Sequence, residues 1–179
     1  RWSKAGQATP WLAVGLDANG YVHAVGGQGN SQQPVLALDS NNTAFLAWVE
    51  APGSFPTSQC VYVAKLDAGD ASSWVNAGGN SNSGIGVLPC ATAEIYRSPT
   101  LGMLGGTTLM VAADHPGTPA EVRTTYLSGT SWFINVPSLV GDSPRIGYAG
   151  GTPWLTFTSG GAQPYTFAGM WNSSMSRWD

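Results

Sequence analysis

Three copies of one short segment constrain this chain more than anything else in it. They read Gln33-Pro34-Val35-Leu36-Ala37-Leu38, Ser98-Pro99-Thr100-Leu101-Gly102-Met103 and Ser143-Pro144-Arg145-Ile146-Gly147-Tyr148. A polar or glycine-containing turn and a second apolar run follow each copy, at 44–49, 108–113 and 153–158. A unit copied along a chain at this spacing is one supersecondary element used repeatedly.

The second half of the unit repeats as well. Val61-Tyr62-Val63-Ala64-Lys65-Leu66 alternates in the manner of a strand, then a turn precedes Ser73-Trp74-Val75-Asn76. Val122-Arg123-Thr124-Thr125-Tyr126-Leu127 leads to Ser131-Trp132, and Tyr165-Thr166-Phe167-Ala168-Gly169-Met170-Trp171 leads to Ser176-Arg177-Trp178. Period-two alternation punctuated by Gly, Asn and Ser predicts strands joined by hairpins. The three units span about 33–80, 98–140 and 143–179. Pro34 and Pro99 lie 65 residues apart, Pro99 and Pro144 only 45. Two insertions, 51–59 and 81–92, lengthen the first interval. A further hairpin with an Asn19-Gly20 turn precedes them. No segment carries a sustained helical period; 91–96 is the nearest to one, and is read as loop or strand.

Charge is scarce. Only 9% of the 179 residues are charged, against roughly 25% in an average soluble protein. With 42% apolar residues and eight tryptophans, this is not the composition of disorder. It suits an exported β-rich protein whose surface is solvated by hydroxyls and amides. Seven scattered cations and a net charge of −3 argue against nucleic acid as a partner, which demands clustered Lys and Arg. No apolar run is long enough for a transmembrane segment.

Cys60 and Cys90 sit at the edges of the two insertions. A disulfide there would tie the long loops together and imply an oxidising compartment; two buried free thiols are the other reading. His23 and His115 fall in separate repeats without ligand spacing, so neither a metal nor a cofactor is expected.

Four-stranded units with Trp opening the last strand resemble the blades of bacterial secreted β-propellers of the sialidase-like and lectin-like kind. The pattern of Pro34-x-Leu36-Ala37-x-Asp39, the Ala47-Trp48 run, Val61-Tyr62-Val63, Ser72-Ser73-Trp74-Val75 and Gly78-Gly79-Asn80 carries the likeness. Asp67-Ala68-Gly69-Asp70-Ala71-Ser72-Ser73-Trp74 is similar to a degenerate Asp-box, a folding element in that family. The resemblance implies an all-β fold: one propeller-type domain over 1–179, with an incomplete blade at 1–32 and blades at 33–97, 98–142 and 143–179. It also implies that Trp74, Trp132 and Trp178 are structural blade tryptophans. Three and a half units leave the ring size open: a small closed ring, part of a larger chain, or a homo-oligomer.

Catalytic patterns are thin in the sequence. Arg97 with Glu94 and Tyr96 forms a local cluster of the sialidase type, but neighbours along a strand point alternately. Other candidate acids are Asp39, Glu50, Asp114 and Glu121. Asp17-Ala18-Asn19-Gly20 and Asp39-Ser40-Asn41-Asn42 read as turns rather than calcium loops. The expectation is therefore an extracellular, non-enzymatic recognition or adhesion module, binding a glycan or a surface protein. Trp11, Trp171 and Phe55 are candidates to stack on a ligand, with Asp114 and His115 beside them in a Pro-Gly loop. A structural component of a surface assembly and a sialidase-like glycoside hydrolase are the two rivals.

Overall fold

The structure, a computed structural model, describes residues 31–52, 57–67, 74–78, 87–88, 90, 93–159 and 164–179. Among them it is all-β, with no helix. Twelve strands form three four-stranded antiparallel sheets, each a simple meander. The first holds β1 (Gln32–Leu38), β2 (Ala44–Glu50), β3 (Cys60–Leu66) and β4 (Trp74–Asn76). The second holds β5 (Arg97–Leu104), β6 (Thr108–His115), β7 (Glu121–Ser128) and β8 (Ser131–Val140). The third holds β9 (Asp142–Ala149), β10 (Thr152–Thr158), β11 (Thr166–Asn172) and β12 (Arg177–Trp178). The sheets stack face to face, and β5 packs between β1 and β9. This is a partial β-propeller with the first strand of each blade innermost. The segment 93–96 is a turn and an isolated bridge, not a helix.

Burial follows position in the stack. Strands β3 and β6 are buried on both faces, so their sequences run nearly continuously apolar: Val61, Tyr62 and Val63 on one, Leu109 through Ala113 on the other. Strand β10 alternates instead, because the third sheet has only one covered face. The main core fills the seam between the first two sheets with Val49, Val61, Val63, Tyr96, Met103, Leu109 and Val111. A smaller seam joins the second and third sheets through Ala112, Val122 and Leu155. The outer faces of the stack keep apolar residues in solvent, among them Leu36, Leu38 and Met170.

Tryptophans close the outer parts of the blades. Trp132 is buried in the first seam, directly beneath Gly78 of the neighbouring sheet. Trp178 packs edge-on to Trp171, and Trp74 lies against the cluster of Trp48, Tyr62 and the disulfide. The turn before Trp74, at 68–73, lies outside the described residues, as do the 1–30 segment with its hairpin and His23. Asp39 is a turn residue, as read: its Oδ1 accepts the backbone N–H groups of Asn41 and Thr43 at 2.8 and 2.7 Å.

The second and third sheets approach closely at Gly102. A Cβ there would overlap the Ile146 Cγ2 methyl and lie 2.6 Å from the Tyr148 hydroxyl, which burial pushes up to about 12. Ile146 is β-branched and yields little. Gly102→Ala is therefore expected to destabilise the fold by about 1–3 kcal/mol, the range for overpacking. An unchanged urea midpoint would show that the seam can open at no cost.

Candidate functional site

The same irregularity opens every inner strand. Gln32 pairs with Val49 and Val35 with Ala47, so Gln33 and Pro34 together face one residue of β2. Arg97 and Thr100 bracket Ser98 and Pro99 in the same way, and Asp142 and Arg145 bracket Ser143 and Pro144. These are β-bulges, which re-aim side chains at sheet ends. The residue before each proline is left-handed: φ is 54° at Gln33, 47° at Ser98 and 52° at Ser143. Each such non-glycine residue costs on the order of 1–3 kcal/mol and persists only where its surroundings hold it. A cross-blade bond joins two of the three, and a second ties the neighbouring strands. Gln33 Oε1 accepts the Ser98 N–H at 2.5 Å, and Thr100 Oγ1 accepts the Ile146 N–H at 3.2 Å.

Two of the bulges, with Arg145 just past the third, line one concavity of about 360 Å³: Gln33, Pro34, Val35, Ser98, Pro99, Thr100 and Arg145. The size suits one small ligand group. The sequence repeat marks these positions through their prolines, but not the backbone turn that aims them at a common axis.

Two polar clusters lie in the seams, one in each. Successive strand residues face opposite sides of a sheet, so neighbouring Asp114 and His115 enter different clusters. In the first seam His115 Nε2 bonds the Glu94 carboxylate, and its ring lies 5.2 Å from that of Tyr96. Arg123 donates to the Tyr96 hydroxyl at 2.9 Å and to Glu121 at 3.2 Å, and approaches Glu94 at 3.6 Å. The arginine that joins Glu94 and Tyr96 is thus Arg123 of β7, not Arg97. Backbone bonds hold the 94–96 strip to Gln59, with Gln59 N–H to Glu94 O at 2.8 Å and Tyr96 N–H to Gln59 O at 2.9 Å. His115, expected as a loop residue, is the last residue of β6 and is clamped by this cluster.

In the second seam Arg97 sits across the ladder from Asp114. Asp114 feels the charge of Asp142 on the third sheet. Burial first, then Asp142, pushes the Asp114 carboxyl above the ordinary carboxylate value, against the opposing pull of Arg97 and His115. Among the described residues, none is a hydrogen-bond partner of the buried Asp114 Oδ1. Asp142 is held differently: its Oδ1 accepts from the Thr158 hydroxyl, its cross-strand neighbour. Asp142 was not among the sequence candidates. The signal was its place before Ser143-Pro144, matching that of Arg97 before Ser98-Pro99.

The remaining candidates fall elsewhere. Trp171 is buried, 5% exposed, edge-on to Tyr126 at 5.5 Å and Trp178 at 5.2 Å. Its ring is core and offers no face to a ligand, which corrects the stacking expectation. Trp11 and Phe55 lie outside the described residues. Glu50 is fully buried, accepting from Trp48 Nε1 at 2.8 Å and the Ser31 hydroxyl at 2.9 Å. Cys60 and Cys90 form the disulfide, with Cα atoms 5.7 Å apart.

No protein-family model matches the chain. No curated protein matches it either. Solved structures do. A thermostable family-43 glycoside hydrolase aligns over 83% of this chain and 56% of its own, at 8% identity and a TM-score of 0.54. The α-L-arabinofuranosidase from Lactobacillus brevis aligns over 80% and 54%, at 8% identity and 0.50. The endo-arabinase from Bacteroides thetaiotaomicron aligns over 77% and 55%, at 13% identity and 0.50. At these identities the likeness carries the fold. The chain spans a little over half the length of each. All three are glycoside hydrolases, which overturns the expectation of a non-enzymatic module as the leading reading.

Proposed function

We propose that this chain belongs to a glycoside hydrolase, with Asp114 as general acid and Asp142 as its anionic partner. One observation carries the assignment: a carboxyl with a buried oxygen unpartnered among the described residues, pushed toward its protonated form, beside a second carboxylate held by a hydroxyl donor. Glycosidic cleavage uses one carboxyl group as proton donor and a second carboxyl group opposite it. Asp114 would give its proton to the leaving oxygen as the C–O bond breaks. Asp142 would stabilise the positive charge at the sugar carbon, or activate the water that supplies the new C–OH bond. Arg97 tempers the shift at Asp114 and returns the emptied carboxylate to an ionic environment.

The solved structures of like fold support this reading, since they cleave glycosides on the same architecture. The disulfide suits an exported protein. Because those structures are longer than this chain, the remaining part of the ring would come from further blades, in the same polypeptide or another.

The test is product release from a panel of aryl glycosides, including α-L-arabinofuranosides, and from arabinan. Asp142→Asn is expected to reduce turnover by about 10²-fold or more. Turnover equal in wild type and variant would remove Asp142 from the reaction. A wild-type chain inert on every glycoside would end the hydrolase reading.

A further inference from the structure

The concavity at the axis has a charge character that the acid pair does not explain. Of its seven lining residues only Arg145 is charged, and no carboxylate lines it. Arg145 is exposed and spends one donor, Nη1, on the adjacent Pro144 carbonyl at 2.7 Å. Among the described residues it makes no ion pair, whereas Arg123 and Arg177 each have an acidic partner within 4 Å. Arg97 likewise has no acidic partner within 4 Å among the described residues; what sets Arg145 apart is that it lines the concavity. A further cation, Arg97, immediately precedes Ser98 of the lining in sequence.

The walls around Arg145 are rigid and built. Pro34 and Pro99 fix two sides. Gln33 and Thr100 are locked by their cross-blade bonds, so the pocket is formed before any ligand arrives. Its remaining polar groups are the neutral side chains of Gln33, Ser98 and Thr100. A planar guanidinium with free donors, beside neutral hydrogen-bonding groups, matches an oxyanion carried on a polyhydroxylated ring.

Resting on the glycoside hydrolase reading above, we infer that this pocket is a subsite for an anionic sugar residue, with Arg145 as the contact to its negative group. The group is a carboxylate, as on a uronic acid, or a sulfate ester. Asp142 lies three residues upstream and is occupied by Thr158, and Asp114 is biased toward its neutral form. The acid pair therefore opposes an anion at Arg145 less than its formal charge suggests.

The experiment measures binding of three oligosaccharides of matched length and linkage, one neutral, one bearing a uronic acid and one bearing a sulfate ester. Calorimetry is run on wild type, Arg145→Gln and Arg145→Lys, with thermal melts to confirm that each is folded. An anionic ligand is expected to bind about tenfold or more tightly than the neutral one, as a charge-assisted contact at a formed site should. Arg145→Gln should erase that preference and Arg145→Lys should keep only part of it. The preference should also shrink as salt rises. Preference for the uronide alone names a carboxylate subsite; preference for the sulfated ligand alone names a sulfate subsite. Equal binding of neutral and anionic ligands, or an undiminished preference in Arg145→Gln, overturns the inference and leaves the hydrolase reading standing. Hydrolysis of neutral glycosides with no anionic preference does the same. Absence of both binding and hydrolysis for every sugar overturns the two together.

Discussion

Asp114→Asn lowers turnover by about 10²–10⁴-fold on the best glycoside substrate, the range for loss of a positioned general acid. The substitution keeps the shape of the side chain and removes only the transferable proton. The loss should be smallest for substrates with a good leaving group, which need little protonation, and that comparison separates a lost acid from a damaged fold. The pH dependence follows from the direction of the Asp114 shift. Its folded-state proton affinity is raised by burial and by Asp142, so the native state binds this proton more tightly than the unfolded chain. The associated stabilisation is complete below the unfolded carboxyl value and is lost as pH rises through the folded one. Wild type should therefore lose stability relative to Asp114→Asn as pH climbs out of the ordinary carboxyl range. The upper limb of the rate profile should fall in the same window, because the acid form is the active one. Parallel stability curves for the two proteins across that range would show that Asp114 is not shifted.

Cys60→Ala with Cys90→Ala should lower stability by about 3–4 kcal/mol. The two cysteines are 30 residues apart, and closing a loop of that length restricts the unfolded chain by this much on the loop-entropy account. The loss also has a location. Cys90 lies four residues before Glu94, and Cys60 directly follows Gln59, whose backbone bonds Glu94 and Tyr96. The bridge and the backbone bonds pin one strip to the start of β3 at two points. That strip presents Glu94 to His115 and Tyr96 to Arg123. Hydrogen exchange in the double variant should rise first at 94–96 and at the end of β6, ahead of the third sheet. Exchange that rises uniformly would mean that the bridge acts on the unfolded state alone.

Strand positions were legible because each side chain reports its own surroundings. Val61-Tyr62-Val63 reads as a strand buried on both faces, and Pro34, Pro99 and Pro144 mark the same point of three sheets. Ser-Trp or Ser-x-Trp recurs at the last strand of each unit, at Trp74, Trp132 and Trp178. Trp171 was misjudged because its ring is enclosed by Tyr126 and Trp178, partners 45 residues before it and seven after it. Nothing local distinguishes a tryptophan so enclosed from one that faces solvent.

The chemistry was less legible than the strands. Arg97 was grouped with Glu94 and Tyr96 by proximity in sequence, yet alternation along the strand sends it across to Asp114. Arg123, from a different strand, takes the expected place. Asp142 escaped notice because an aspartate before Ser-Pro looks like a turn residue. Its significance arises only when the third sheet packs against the second and brings it within electrostatic reach of Asp114.

The sequence by itself determined the all-β class, the three meanders and their boundaries to within a few residues, because hairpins are local and period-two burial is written in consecutive residues. The tertiary structure alone decided which seam each polar residue enters, the left-handed bulges that bring Gln33 and Ser98 to one concavity with Arg145, and the meeting of Asp114 with Asp142. Those depend on contacts between blades tens of residues apart, whose geometry no single segment encodes.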